Sequence, residues 1–210
     1  MLTFEHFQKS YGPNRILGID KLMLEAGIHW IQGTNGSGKS TLLKAIAGLI
    51  HFHGSIVLEN RFNLKKQPVA YRQQINFAES EPLYPGYFNG WDMIRLFAKA
   101  KKAPDNQITQ LVEGLGMVEY LNEPLAGYSS GMLKKLSLVL GFLGQPSLIL
   151  LDEPFITLDQ AALNQLAEWI RDTHLLKNVN FLITSHQTIP LSIPLTRTFL
   201  LSNQQLQLRN

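Results

Sequence analysis

The run Gly33-Thr34-Asn35-Gly36-Ser37-Gly38-Lys39-Ser40 has the spacing G-x-x-x-x-G-K-[ST] of a loop that cradles phosphates. An apolar run, Ile28-His29-Trp30-Ile31, precedes it and reads as a buried strand. Thr41-Leu42-Leu43-Lys44-Ala45-Ile46-Ala47 follows it and reads as a helix stopped by Gly48. Strand, glycine loop and helix in that order commit this part of the chain to an α/β core. Glycines allow successive backbone N–H groups to turn inward around phosphate oxygens, and the helix N-terminus adds partial positive charge. On this pattern Lys39 reaches the β- and γ-phosphates of a nucleoside triphosphate and the Ser40 hydroxyl ligates Mg²⁺. The rest of the loop, with Thr41, completes the expected phosphate-binding set.

Composition fits this and narrows the alternatives. The 210 residues suit one large domain, or a core with a small insertion, and a hydrophobic fraction of 45% is ample for a core. The net charge of +3 comes without a concentrated basic run, which argues against a nucleic-acid partner. Absence of cysteine excludes disulfides and thiolate metal sites. Met1 to Gln8 alternates like a strand and lacks the order of a signal peptide. No stretch reaches the ~18 uninterrupted apolar residues of a spanning helix. The expectation is a cytoplasmic chain.

Along the chain, Leu2–Lys9 and Ile16–Leu24 read as strands separated by the turn signal Tyr11-Gly12-Pro13-Asn14. Gly54–Leu58 and Ile75–Phe77 read as further strands. From Glu81 the breakers Pro82, Pro85, Gly86 and Gly90 introduce helical segments, roughly Trp91–Ala100 and Asp105–Leu115. Met132–Leu143 reads as a buried helix, apolar beyond Lys134-Lys135. Leu148–Leu151 and Phe181–Thr184 read as central parallel strands, with a helix carrying Leu163, Leu166, Ala167 and Ile170 between them. Strands near Thr198–Leu201 and Gln205–Leu208 close the chain. Repeated βα units imply a mostly parallel sheet covered by helices.

Asp152 and Glu153 end the strand Leu148–Leu151, where open α/β sheets carry ligand-binding groups. Asp152 is placed to hold Mg²⁺ through water, and Glu153 to polarise the water that attacks the γ-phosphate.

With these motifs in view, nearly the whole chain resembles the ATP-binding subunit of ABC transporters. Tyr128-Ser129-Ser130-Gly131-Met132 is similar to that family's signature, usually L-S-G-G-Q, with Ser129 and Gly131 matching and the other three departing as in many exporter-type members. The resemblance implies an α/β P-loop NTPase core with a mostly parallel sheet, an N-terminal antiparallel β part and a helical insertion carrying the signature. In that layout residues 1–210 form one domain, with 1–80 and 145–210 as the nucleotide-binding core and about 81–144 as the helical subdomain. It implies that Ser129, Ser130 and Gly131 bind the γ-phosphate of ATP held by a second subunit. It further implies that Ile156-Thr157-Leu158-Asp159 crosses the dimer interface, that His186 contacts the γ-phosphate and that Tyr11 stacks on adenine. The partners implied are a second ATPase subunit, expected to be an identical copy, and an integral membrane permease. The location implied is peripheral, on the inner face of the cell membrane.

One motif departs. The family has a metal-ligating glutamine where this chain has Ser80, in Ala78-Glu79-Ser80-Glu81-Pro82. A hydroxyl reaches less far than an amide, so Ser80 is expected to hold Mg²⁺ through a bridging water, with weakened hydrolysis or coupling. The aromatic run Leu83–Trp91 suggests a protein groove, which in the family receives a helix of the membrane subunit. The leading expectation is an ATPase that powers a separate permease, with export favoured. The alternatives are a regulatory subunit that binds ATP without hydrolysing it, which Ser80 favours and Glu153 opposes, and an ABC-type ATPase of translation or repair.

Overall fold

A computed structural model describes residues 1–209. The chain runs β1 (Leu2–Tyr11), β2 (Asn14–Leu24), β3 (Ile28–Gln32), α1 (Lys39–Ile46), β4 (His53–Leu58), β5 (Phe62–Asn63), α2 (Pro68–Gln73) and β6 (Ile75–Ala78). It continues through α3 (Gly90–Lys101), α4 (Asp105–Gly114), α5 (Ser130–Phe142), β7 (Leu148–Asp152), α6 (Gln160–Lys177), β8 (Asn180–Ser185), β9 (Arg197–Ser202) and β10 (Gln205–Arg209).

Two sheets result. An antiparallel one has the order β2-β1-β4-β5, and a six-stranded one the order β10-β9-β3-β8-β7-β6. In the second sheet all neighbours are parallel except the terminal hairpin β9-β10. The continuous apolar runs of β7 and β8 are explained by cover on both faces. Alternate residues feed two separate cores. Ile149, Leu151, Phe181 and Ile183 join the cluster beneath α3, α4, α5 and α6, whereas Leu148, Leu150 and Leu182 join Leu42 and Leu43 of α1 and the antiparallel sheet. Each such side chain, fully buried, stabilises the fold by ~1.5–3 kcal/mol relative to exposure.

β3 also buries a histidine. His29 has no solvent exposure, its Nε2 lies 2.9 Å from the Glu25 carbonyl, and its ring meets Phe199 edge-on at 5.9 Å. Burial, and secondarily the charge of Arg197, lower its pKa, while the contact and charge of Glu25 act in the opposite direction.

The helical segment enters through a capping box: Asn89 Oδ1 accepts the Asp92 N–H and Asp92 returns the bond to the Asn89 N–H. α5 packs on β6, and the Asn76 amide donates to the Gly141 and Leu143 carbonyls at 2.9 and 2.7 Å. Two elements have no counterpart in the sequence reading. β5 is two residues long and α2 buries only Tyr71, so neither carries a readable period. α5 starts two residues before the expected Met132 because Ser129 caps it. One expectation for α5 is corrected: Lys134, read as lying outside the apolar part, is 1% exposed.

Candidate active site

The glycine loop leaves β3 at Gln32 and enters α1 at Lys39. Gly36 and Gly38 have φ of 79° and 103°, a region that disfavours side chains. Gly33 is required for a different reason: a Cβ there would lie 2.5 Å from Ser37 Oγ and 2.8 Å from the Leu201 carbonyl oxygen. α1 has no capping side chain and no acidic residue in its first turn, so its first N–H groups remain available to an anion. Lys39, buried, donates to the Gly33 and Thr34 carbonyls at 2.8 and 3.2 Å, and its Nζ lies 3.3 Å from Glu153 Oε1.

β7 delivers the acidic pair. Glu153 sits at φ 44°, a left-handed conformation that costs ~1–3 kcal/mol in a non-glycine residue and marks a constrained site. Its N–H donates to the Thr184 carbonyl at 3.0 Å. Its Oε2 accepts the His186 N–H at 3.2 Å and lies 2.9 Å from His186 Nδ1. Asp152 is 1% exposed, and its Oδ1 accepts the Thr184 hydroxyl at 2.7 Å.

These elements surround a cleft of about 450 Å³ lined by the loop and first turn of α1, Tyr11, Ile16, Ser80, Glu81, Glu153, Ile156 and His186. The structure therefore gathers Tyr11, Asn35, Gly36, Gly38, Lys39, Ser40, Thr41, Ser80, Glu153 and His186 at one place. Asp152 lies behind this surface. Gly33, Thr34 and Ser37 form the loop's body rather than the cleft wall. Ser129, Ser130 and Gly131 lie elsewhere in this chain. Ser129, exposed, accepts the Met132 N–H at 3.2 Å, and a Cβ on Gly131 would stand 3.0 Å from the Thr157 carbonyl oxygen. The Lys135–Asp159 ion pair, at 2.7 Å, also ties α5 to the loop after β7. Tyr11 is 52% exposed, with Lys9 Nζ 4.3 Å from its ring centroid.

Among the described residues no three acidic or histidine side chains cluster as a ready-made metal site. The hydroxyls of Ser40 and Ser80 and a carboxylate nearby form a sparse oxygen donor set. That set suits Mg²⁺, which keeps waters and binds phosphate oxygens. A larger cavity, about 680 Å³, lies between α4, the end of α5 and α6. Phe142, Trp169 and Leu111 line it, and its Gln107 amide is already bonded to the Phe142 and Gly144 carbonyls. It offers no phosphate cradle and no acid–base pair, so the smaller cleft is the candidate site.

Sequence reasoning missed Lys134 and Ile16. Lys134 donates to the Asp152 carbonyl at 2.8 Å and to the Glu79 carbonyl at 3.2 Å. Burial pushes its ammonium down to about 8 against the raising effect of Asp152, Glu153 and Glu81. The available signal was its helical spacing with Ser137, Leu138 and Gly141, the face turned to β6. Ile16, which a Cβ on Gly38 would meet at 3.3 Å, had no local signal.

A family model described as "ABC transporter" matches residues 20–156. The chain is 28% identical over 188 residues to the uncharacterized ABC transporter ATP-binding protein YdbJ of Bacillus subtilis (strain 168), covering 89% of this chain and 61% of that protein. It is 31% identical over 169 residues to the cytochrome c biogenesis ATP-binding export protein CcmA of Legionella pneumophila (strain Lens), covering 79% and 82%. It is 27% identical over 188 residues to the zinc import ATP-binding protein ZnuC of a Wolbachia strain from Brugia malayi, covering 89% and 73%. Among solved structures, an ATP-binding subunit of an ABC transporter superposes with a TM-score of 0.86 at 24% identity, covering 98% of this chain and 88% of that one. A dimeric ATP-binding cassette bound to ADP and Pi superposes with a TM-score of 0.82 at 16% identity over the full length of both. At such identities the structural likeness is one of fold.

Proposed function

The chain belongs to the ABC transporter family of ATP-binding ATPase domains, and from that premise we propose that two copies close around two ATP molecules and drive a separate membrane permease. The observation that carries this reading is the convergence of Lys39, Glu153 and His186 within one cleft floored by a glycine loop.

In this reading the loop N–H groups and Lys39 grip the phosphates, Lys39 exchanging its two loop carbonyls for phosphate oxygens. Tyr11 stacks on the adenine. Glu153 Oε orients a water against the γ-phosphorus and takes its proton as the new P–O bond forms and the bond to ADP breaks. His186, hydrogen-bonded to the same carboxylate, fixes its direction and presents its other ring nitrogen to the γ-phosphate. Ser40 directly, and Ser80 and Asp152 through water, are the residues that would hold Mg²⁺, which when bound would neutralise phosphate charge. Ser129 and Ser130, exposed at the start of α5, and the half-buried Gly131 face the phosphate held by the other copy.

The exposed Leu83 and Tyr87 of the loop after β6 form the surface proposed for the permease. No helix among the described residues is long and apolar enough to cross a membrane, and the reading places this subunit on the inner face of the cell membrane. Export is proposed because the signature resembles that of exporter-type members. The test is gel filtration of the Glu153→Gln variant with Mg-ATP, together with wild-type phosphate release. The expected result is steady turnover in the wild type and an ATP-dependent dimer in the variant. A variant that stays monomeric at saturating ATP overturns the dimer.

A further inference from the structure

Two lysines of the helical segment are desolvated, and they grip opposite ends of the edge strand β6. Lys101, at the end of α3, donates to the Arg72 and Ile75 carbonyls at 2.6 and 2.7 Å, at the strand's start. Lys134, on α5, donates to the Glu79 carbonyl just past the strand's end. Only Lys134 also reaches the neighbouring strand, through the Asp152 carbonyl at 2.8 Å. Its ammonium thus bridges the loop that carries Ser80 and the peptide between Asp152 and Glu153.

A second donor meets the same point. Ser137, one turn along α5, donates its hydroxyl to the Glu79 carbonyl at 3.3 Å. The Glu79 carbonyl thus takes donors from both Ser137 and Lys134, and Lys134 carries the connection on to the Asp152 carbonyl.

A buried cation is a costly way to hold two carbonyls if packing alone were needed. An apolar side chain of equal length would avoid the desolvation penalty. What the ammonium adds is direction. Its tetrahedral donors fix two backbone oxygens from different strands relative to each other, and Glu153, held in a left-handed conformation, begins at one of them.

We propose that Lys134 is a positioning residue for ATP hydrolysis, setting the direction of the Glu153 carboxylate and coupling it to the loop after β6. The proposal rests on the ATPase reading above and assigns no contact between Lys134 and nucleotide.

The test compares Lys134→Met with Lys101→Met by steady-state ATPase kinetics and thermal melting. Lys134→Met is expected to lose about tenfold or more in kcat, as small misplacements of a reacting group do, with KM for ATP within about twofold, at a temperature where melting shows the variant folded. Lys101→Met is expected to keep kcat within about twofold. The chain has no cysteine, which permits a rescue. Lys134→Cys is unfolded, alkylated with 2-bromoethylamine to restore an aminoethyl arm, and refolded beside wild type carried through the same cycle. Recovery of kcat by the alkylated form, and not by the free thiol, supports the role even if Lys134→Met folds poorly. Wild-type kcat in Lys134→Met, an equal loss in Lys101→Met, or alkylation that restores melting temperature without kcat overturns it. A wild type that binds ATP without turnover instead removes the reading beneath.

Discussion

Glu153 and His186 are joined twice, by the His186 N–H donating to Oε2 at 3.2 Å and by the ring Nδ1 at 2.9 Å from the same oxygen. The other carboxylate oxygen faces Lys39 at 3.3 Å. A single carboxylate thus stands between the phosphate-binding cation and the histidine. Glu153→Gln should keep nucleotide affinity and lose ~10²–10⁴ in kcat, measured by phosphate release. His186→Ala should lower kcat with a smaller change in KM. A Glu153→Gln variant that retains wild-type turnover would remove this carboxylate from the chemistry.

Gly36 and Gly38 separate backbone strain from crowding. Both have positive φ, but a Cβ on Gly38 meets Ile16 at 3.3 Å, whereas one on Gly36 meets nothing within 4 Å. Strain of ~1–3 kcal/mol expressed in the loop should weaken ATP binding about fivefold or more in either alanine variant, and Gly38→Ala should lose more than Gly36→Ala. Titration with a fluorescent ATP analogue ranks the two, and the reverse order would show that contact with Ile16 is immaterial.

Ser80 lines the cleft on a loop that also carries Glu79 and Glu81. Glu79 is paired with Lys44 at 3.1 Å, which leaves Glu81 as the less compensated anion beside the site. Ser80→Gln supplies a longer neutral ligand and should raise ATPase rate and Mg²⁺ affinity. Unchanged kinetics across a Mg²⁺ titration would discard a metal role for this position.

Ser129 caps α5 through the Met132 N–H at 3.2 Å, and its replacement by alanine should cost about 1 kcal/mol of stability. If it also faces a second copy, Ser129→Ala combined with Glu153→Gln should abolish the ATP-induced dimer at temperatures where the monomer stays folded. Sedimentation velocity distinguishes the two effects, and an intact dimer restricts Ser129 to capping.

His29 gives a pH signature. Its folded pKa lies below the unfolded value of ~6.5, so as pH falls through that value the unfolded chain takes up a proton before the folded one does. The stability contribution is therefore complete above about pH 6.5 and declines below it. Urea midpoints between about pH 7 and 5 should fall more steeply for wild type than for His29→Phe. Parallel slopes would contradict a neutral buried imidazole.

The parts legible in sequence were those with local causes. Leu148–Leu151 and Phe181–Thr184 announce buried strands because both their faces are covered, and the glycine loop is contiguous. β5 and α2 were illegible because a two-residue strand and a helix anchored by Tyr71 have no period. At the site, Lys39, Glu153 and His186 could be named singly, but their joint geometry depends on strand order. Lys134 was hidden by its own chemistry. A lysine beside another lysine reads as solvated until the fold supplies carbonyls to two of its three donors.

β3 occupies the middle of its sheet, yet both its partners come late: Ile28 aligns with Phe181 of β8 and Trp30 with Thr198 of β9. The floor under Gly33 is the carbonyl of Leu201. During synthesis the phosphate loop emerges well before β8 and β9, the strands that flank and floor it. The ordering of the nucleotide loop is therefore a non-local event, tied to the docking of strands more than a hundred residues further along the chain.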